Sequence, residues 1–77
     1  LPKTMTELTL LTLLNFVAGD FCAAKAQGMD TLKSVLIAYS KANDKFGGNN
    51  VRRVINKSPA IEVTALAVVA TKCPNLL

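Results

Sequence analysis

The sequence predicts an all-α fold, a small bundle of three to four helices closed by one disulfide, in a single domain over residues 1–77. Apolar residues recur at helical spacing along three segments, and no strand pattern competes with them. Apolar types make up 51% of the chain, too many for a disordered protein. Two cysteines, Cys22 and Cys73, lie near the ends of the first and last predicted helices.

Thr4 and Glu7 predict the start of the first helix, because a threonine followed three residues later by glutamate forms a capping box. The helix is expected to run to about Gln27, where Gly28 stops it. Its apolar residues cover more than one face. Either neighbouring helices surround this helix, or an exposed strip remains for a partner subunit, a filament neighbour or a lipid. The apolar residues are Leu8, Leu10, Leu11, Leu13, Leu14, Phe16, Val17, Phe21 and Ala24.

Asp30 is the predicted N-cap of a second helix that reaches roughly Asn43. Its apolar stripe follows the i, i+3, i+4, i+7 pattern, so Tyr39 is expected to pack in the core with its hydroxyl at the rim. The stripe consists of Leu32, Val35, Leu36 and Tyr39. Residues 47–50 are then predicted as a loop, followed by a short helical turn that carries Val51, Val54 and Ile55.

Ser58 and Pro59 predict the start of the last helix, with serine as N-cap and proline at the first helical position. The helix is expected to run from Ala60 to about Lys72, and Pro74 closes it. If the short turn does not reverse the chain, the first and last helices are parallel and their C-terminal ends meet. That path would bring the two cysteines together.

Two well-separated cysteines in so short a chain predict one disulfide, Cys22–Cys73, and hence an exported protein that is secreted, periplasmic or lumenal. In the chain-entropy model such a loop contributes about 4 kcal/mol. The alternative is two free, buried thiols that pack as small hydrophobic groups. The first residues lack the layout of a signal peptide, so an exported protein would already have lost its signal or be a processed fragment.

The formal net charge of +4 is concentrated in residues 41–57. A glycine-containing loop, the amides of the helical turn after it and two arginines predict a site for an anion or an anionic partner. The alternative is a solvated loop whose charges keep an apolar protein soluble. Nucleic acid is disfavoured, because no aromatic residues are interleaved and no reading helix is recognisable. The candidate residues, here called the basic corner, are Lys41, Lys45, Arg52, Arg53 and Lys57.

The sequence predicts neither catalysis, nor a metal, nor a cofactor. Histidine is absent, the five acidic residues are spread over the chain, and the cysteines are expected to bond to each other. A haem would need Tyr39, Met5 or Met29 as its axial ligand. We therefore do not expect an enzyme.

Phe21-Cys22, Gly28 and an alanine-rich last helix that ends in Cys73-Pro74 resemble a family of small secreted bacterial helical domains of unknown function. The resemblance spans roughly residues 15–75. It implies a helical fold and a disulfide between the two cysteines, and some relatives are reported as haem-binding secreted proteins. That family often has an aromatic residue before the closing Cys-Pro, where this chain has Lys72.

The sequence thus predicts a small exported domain that acts by non-covalent binding. The leading hypothesis is an accessory or structural subunit that docks on a protein partner or a larger complex, with a homo-oligomer as a further option. The first alternative is a carrier for a small ligand, lipid or haem, held between the helices. The second is a secreted effector that acts on anionic membrane surfaces.

Overall fold

A computed structural model describes residues 8–76. This part of the chain forms four α-helices and a final 3₁₀ turn and contains no β-strand. The predicted all-α bundle is confirmed. The elements are α1 (Leu10–Ala26), α2 (Thr31–Phe46), α3 (Gly48–Asn56), α4 (Ile61–Lys72) and the 3₁₀ turn Pro74–Leu76.

Helix α1 begins later than predicted. The described chain is not helical at residues 8–9, and α1 begins at Leu10. Thr9 is its N-cap, because its Oγ1 accepts the Thr12 N–H at 3.2 Å. The predicted start of the helix at Thr4 was therefore wrong, and the predicted capping box of Thr4 and Glu7 lies outside the described residues.

Gly28 ends α1 as predicted. Its φ of +92° lies in the left-handed region, which glycine adopts without the steric cost of a Cβ. The Gly28 N–H donates to the Lys25 carbonyl at 2.9 Å, and the Met29 N–H donates to the Ala24 carbonyl at 3.2 Å. These two hydrogen bonds form a Schellman motif, which satisfies carbonyls that the helix end would leave free.

Asp30 caps α2 as predicted, since its Oδ1 accepts the Lys33 N–H at 2.8 Å. The predicted loop over residues 47–50 was wrong. Only Gly47, with φ of +90°, separates α2 from α3. The Asn50 side chain donates to the Phe46 carbonyl at 2.7 Å across this break. Gly47 and the hydrogen bond of the Asn50 side chain are enough to redirect the chain. Asn49 and Asn50 therefore belong to helix α3 and not to a loop.

Ser58 does not cap α4, contrary to the prediction. Its hydroxyl donates to the Val54 carbonyl at 2.7 Å, so it satisfies the end of the preceding helix. Helix α4 begins at Ile61 after a turn and bends away from α3 by 108°. Its end at Lys72 is confirmed.

The core is built around α1, which packs against α2, α3 and α4. Six of its residues are buried, so neighbouring helices account for most of its broad apolar surface, although Leu11 remains exposed. The buried residues are Leu13, Leu14, Val17, Ala18, Phe21 and Ala24.

The face of α2 that is buried is not the one predicted. Ser34, Ala38 and Ala42 are fully buried, whereas Leu32 and Leu36 are 69% and 61% exposed. The large core residues of α1 need small partners if the two helices are to pack closely. The Ser34 hydroxyl fits this interface because it donates to the Asp30 carbonyl at 2.8 Å. Leu32 and Leu36 of the apolar stripe are thereby turned outward, whereas Val35 and Tyr39 are half-buried and pack against the core, as predicted for Tyr39.

The predicted disulfide is confirmed. Cys22 and Cys73 are bonded, with their Cα atoms 5.9 Å apart, so the alternative of two free thiols is wrong. The bond links the second half of α1 to the residue that follows α4. It is compatible with an oxidising, extracellular environment.

Candidate binding groove

A groove lies between α2 and α4. Both helices pack against α1 but make little contact with each other, so α1 forms the floor and the other two form the walls. The cavity volume is about 510 Å³, within the range of small-molecule sites. The lining residues, which define the groove hereafter, are Val17, Phe21, Thr31, Val35, Tyr39, Ile55, Ile61, Glu62, Ala65, Leu66, Val69 and Leu76.

The groove is apolar over most of its surface. The floor consists of the buried side chains of Val17 and Phe21 from α1. Its wall on α2 contains Val35, from the apolar stripe that the sequence pattern assigned to the core. Leu76, in the 3₁₀ turn directly after the disulfide-bonded Cys73, completes the lining. Two residues of the apolar stripe on α2, Val35 and Tyr39, therefore form part of the groove wall.

Polar groups in the groove are few. Three lining side chains carry them, Thr31, Tyr39 and Glu62, and no lysine or arginine lines the groove. Burial raises the pKa of the Tyr39 phenol above its ordinary value of 10.0, and the negative charge of Glu62 raises it further. Tyr39 on α2 and Glu62 on α4 therefore interact electrostatically across the groove.

Exposed large apolar side chains lie on both helices that form the groove walls. They are Leu32 and Leu36 on α2 and Val63 and Leu66 on α4. Of these four residues, Leu66 also lines the groove.

The five residues of the basic corner lie on α2, on α3 and directly after α3, and all five are exposed. Lys45 is engaged locally. Its Nζ lies 5.5 Å from the centre of the Phe16 ring and 5.9 Å from that of Phe46. The two rings meet edge to face, with centres 5.3 Å apart. Lys45 therefore covers an aromatic contact between α1 and α2.

Arg52 and Arg53 do not converge on one point. They are consecutive in α3, and successive helical side chains point about 100° apart. Arg52 donates to the Asn49 side chain at 3.4 Å and lines a second depression of about 310 Å³, which Arg53 does not line. An anion-binding role for the corner stays a prediction.

The second depression adjoins the groove. Its lining residues are Tyr39, Asn43, Gly48, Val51, Arg52 and Ile55, and two of these, Tyr39 and Ile55, also line the groove. Sequence reasoning found both the apolar stripe of α2 and Arg52, but it missed their connection. The signal was the spacing of Val35, Tyr39 and Asn43, which lie four residues apart on one face of α2.

Within residues 8–76, no three side chains of the usual metal-ligating types lie together. No single helix there is long and apolar enough to cross a membrane, whereas α3 and α4 together pass that test by length and composition, with a bend of 108° between them.

Comparisons with protein-family models, curated proteins and solved structures found no match. The resemblance to small secreted bacterial domains therefore stays a prediction.

Proposed function

We propose that this protein is an exported, non-enzymatic carrier that holds an elongated apolar ligand in the groove between α2 and α4. The observation that carries the proposal is a groove of about 510 Å³ whose floor and walls are mainly apolar. Uncovered apolar surface of this extent costs free energy in water, so an apolar occupant would stabilise the protein.

A lipid-like chain fits the groove better than haem does. Coordination of iron by a tyrosine competes with the phenolic proton, and the pKa of Tyr39 is raised, which favours the protonated phenol. Met29 does not line the groove. Met5 lies outside the described residues. These observations support the lipid alternative of the carrier hypothesis.

Export is part of the proposal. The disulfide supports it, because such bonds persist in the extracellular space, the periplasm and the lumen of the secretory pathway. A carrier in these compartments would shield an apolar molecule from water while it moves between membranes.

Binding of the neutral fluorescent probe N-phenyl-1-naphthylamine tests the function. We expect a saturable rise in probe emission with one site per chain. Ala65 lines the groove, whereas Ala67 is exposed and does not. Ala65→Phe should place a bulky ring in the groove and weaken probe binding by about tenfold or more, the equivalent of about 1.4 kcal/mol. Ala67→Phe, on the same helix, should bind like the unchanged protein.

Absence of saturable binding in the unchanged protein would exclude the carrier function, and so would equal binding by the two phenylalanine variants. Circular dichroism of both variants shows whether the helices are retained. If Ala65→Phe does not fold, Leu66→Gln offers a second variant, because Leu66 is both exposed and part of the groove.

The exposed leucines of α2 favour a second candidate, the accessory subunit that the sequence predicts. Leu32 and Leu36 are four residues apart and share one face of the helix, and both would be covered if that face docked on a protein partner. The native mass of the protein in unfractionated source material tests this function. A mass well above that of one 8.2 kDa chain supports it, and recovery as a monomer contradicts it.

A further inference from the structure

We infer that the ligand is a single-chain amphiphile whose anionic head is a carboxylate or a phosphate ester. The head lies in the second depression, which Arg52 lines, and the hydrocarbon chain extends along the groove. This inference rests on the proposed carrier function and adds the chemical class of the ligand.

The two cavities adjoin each other through shared lining residues. Tyr39 and Ile55 line both the groove and the depression that contains Arg52. Any molecule that fills the groove as far as Tyr39 therefore reaches the edge of the depression. One elongated ligand can occupy both.

The combined cavity is more polar at one end than at the other. The depression contributes the guanidinium of Arg52 and the side-chain amide of Asn43. The groove contributes apolar residues close to the disulfide in sequence, Phe21 directly before Cys22 and Leu76 three residues after Cys73. This polarity matches an amphiphile in one orientation, with the head at α3 and the tail towards the disulfide.

Charge sets the sign of the head. Residues 41–57 contain five basic side chains and one acidic one, Asp44, so this segment carries all of the net charge of +4. Arg52 is the basic residue that lines the depression, and its planar guanidinium suits carboxylate and phosphate oxygens. The exposed Glu62 lines the groove but not the depression. A hydrocarbon chain that fills the groove extends as far as Tyr39, which also lines the depression. An anionic head at the end of that chain would therefore meet the guanidinium of Arg52.

Two consecutive arginines provide a matched pair of variants. Arg52→Gln and Arg53→Gln remove the same charge from the same helix, but only Arg52 lines the depression. If only general electrostatic attraction mattered, both variants would lose the same affinity for an anionic ligand. If Arg52 contacts the head group, only Arg52→Gln would lose affinity.

The probes are dodecanoate, dodecyl phosphate, dodecyl maltoside and dodecyltrimethylammonium, used below their micelle concentrations. Isothermal titration calorimetry gives their affinities. We expect the two anionic probes to bind tightest, and Arg52→Gln to weaken them about tenfold or more, the size of one charge-assisted hydrogen bond. Arg53→Gln should change them less than about twofold, as an exposed charge without a direct contact does.

Acetate and inorganic phosphate separate a lipid head from a free anion. Both should bind far more weakly than their dodecyl counterparts, because they lack the chain. Equal affinity of the anion alone would overturn the inference, and so would equal weakening by the two arginine variants or preferred binding of the cationic probe. Tight binding of dodecyl maltoside that Ala65→Phe abolishes would leave the carrier function standing while refuting the anionic head.

Discussion

Cys22 and Cys73 join α1 to the residue that follows α4, and two residues close to them in sequence, Phe21 and Leu76, line the groove. In the structure as described, Val69 is the one residue of α4 that is buried. Val68 is half-buried and packs against the core as well, so the disulfide reinforces a modest apolar contact between α4 and the rest of the bundle.

Reduction of this disulfide should lower stability and open the groove. The bond closes a sequence separation of 51 residues, for which the chain-entropy model gives about 4 kcal/mol. We expect a loss of this order in the free energy of unfolding, measured by urea titration with and without reductant. Amide hydrogen exchange should rise earlier in α4 than in α2. Similar protection of both helices after reduction would show that packing alone holds the wall.

Substitutions on two faces of α2 test which face is buried. Ala38 is fully buried, so Ala38→Leu should force the helices apart and cost about 1–3 kcal/mol. Leu36 is 61% exposed, so Leu36→Ala should change stability by no more than about 0.5 kcal/mol. Thermal or urea unfolding provides the measurement. The opposite ranking would mean that the apolar stripe is the buried face after all.

The sequence predicted those features that local chemistry determines. Asp30 and Gly28 acted as predicted, because a capping carboxylate and a glycine with positive φ depend on few neighbours. The cysteine pair was also predictable, since a chain with two cysteines allows a single intramolecular pairing.

The misassigned features depend on a choice between alternative partners, some local and some in another helix. Ser58 has the right type to begin a helix, but the carbonyl of Val54 was the nearer partner. Helix α2 offers two faces, one with large apolar residues and one with small residues, and the bulk of α1 selects the small one. Hydrophobic periodicity ranks faces by apolarity and contains no information on the size of the opposing side chains. For the same reason the groove could not be predicted.

Two glycines should respond to alanine substitution in opposite directions. Gly28 has a φ of +92°, so Gly28→Ala should destabilise the protein by about 1 kcal/mol or more. Gly19 lies inside α1, and a Cβ added there meets no atom within 4 Å. Gly19→Ala should therefore stabilise the protein by about 0.5–1 kcal/mol through helix propensity. Differential scanning calorimetry of the two variants decides the signs, and a destabilising Gly19→Ala would indicate a bend that α1 requires.

The titration of Tyr39 tests the structure of the groove directly. The chain has one tyrosine and no tryptophan, so absorbance at 295 nm follows this phenol alone. Its pKa is raised by burial and by Glu62, so the midpoint should lie above 10.0. Glu62→Gln should lower the midpoint in part, because burial remains. Asp44→Asn, which removes an exposed acid outside the groove, should leave it unchanged.

The same shift fixes the direction of the pH effect on stability. Below pH 10 the phenol is protonated in both the folded and the unfolded chain, so Tyr39 contributes no pH dependence to the stability there. As the pH rises past 10, the unfolded chain loses this proton first, which favours unfolding. Stability should therefore fall with rising pH until the folded phenol also ionises. A bound amphiphile would bury Tyr39 further and move the midpoint upward, whereas a midpoint at or below 10.0 in the free protein would contradict the half-buried position of Tyr39 in the groove wall.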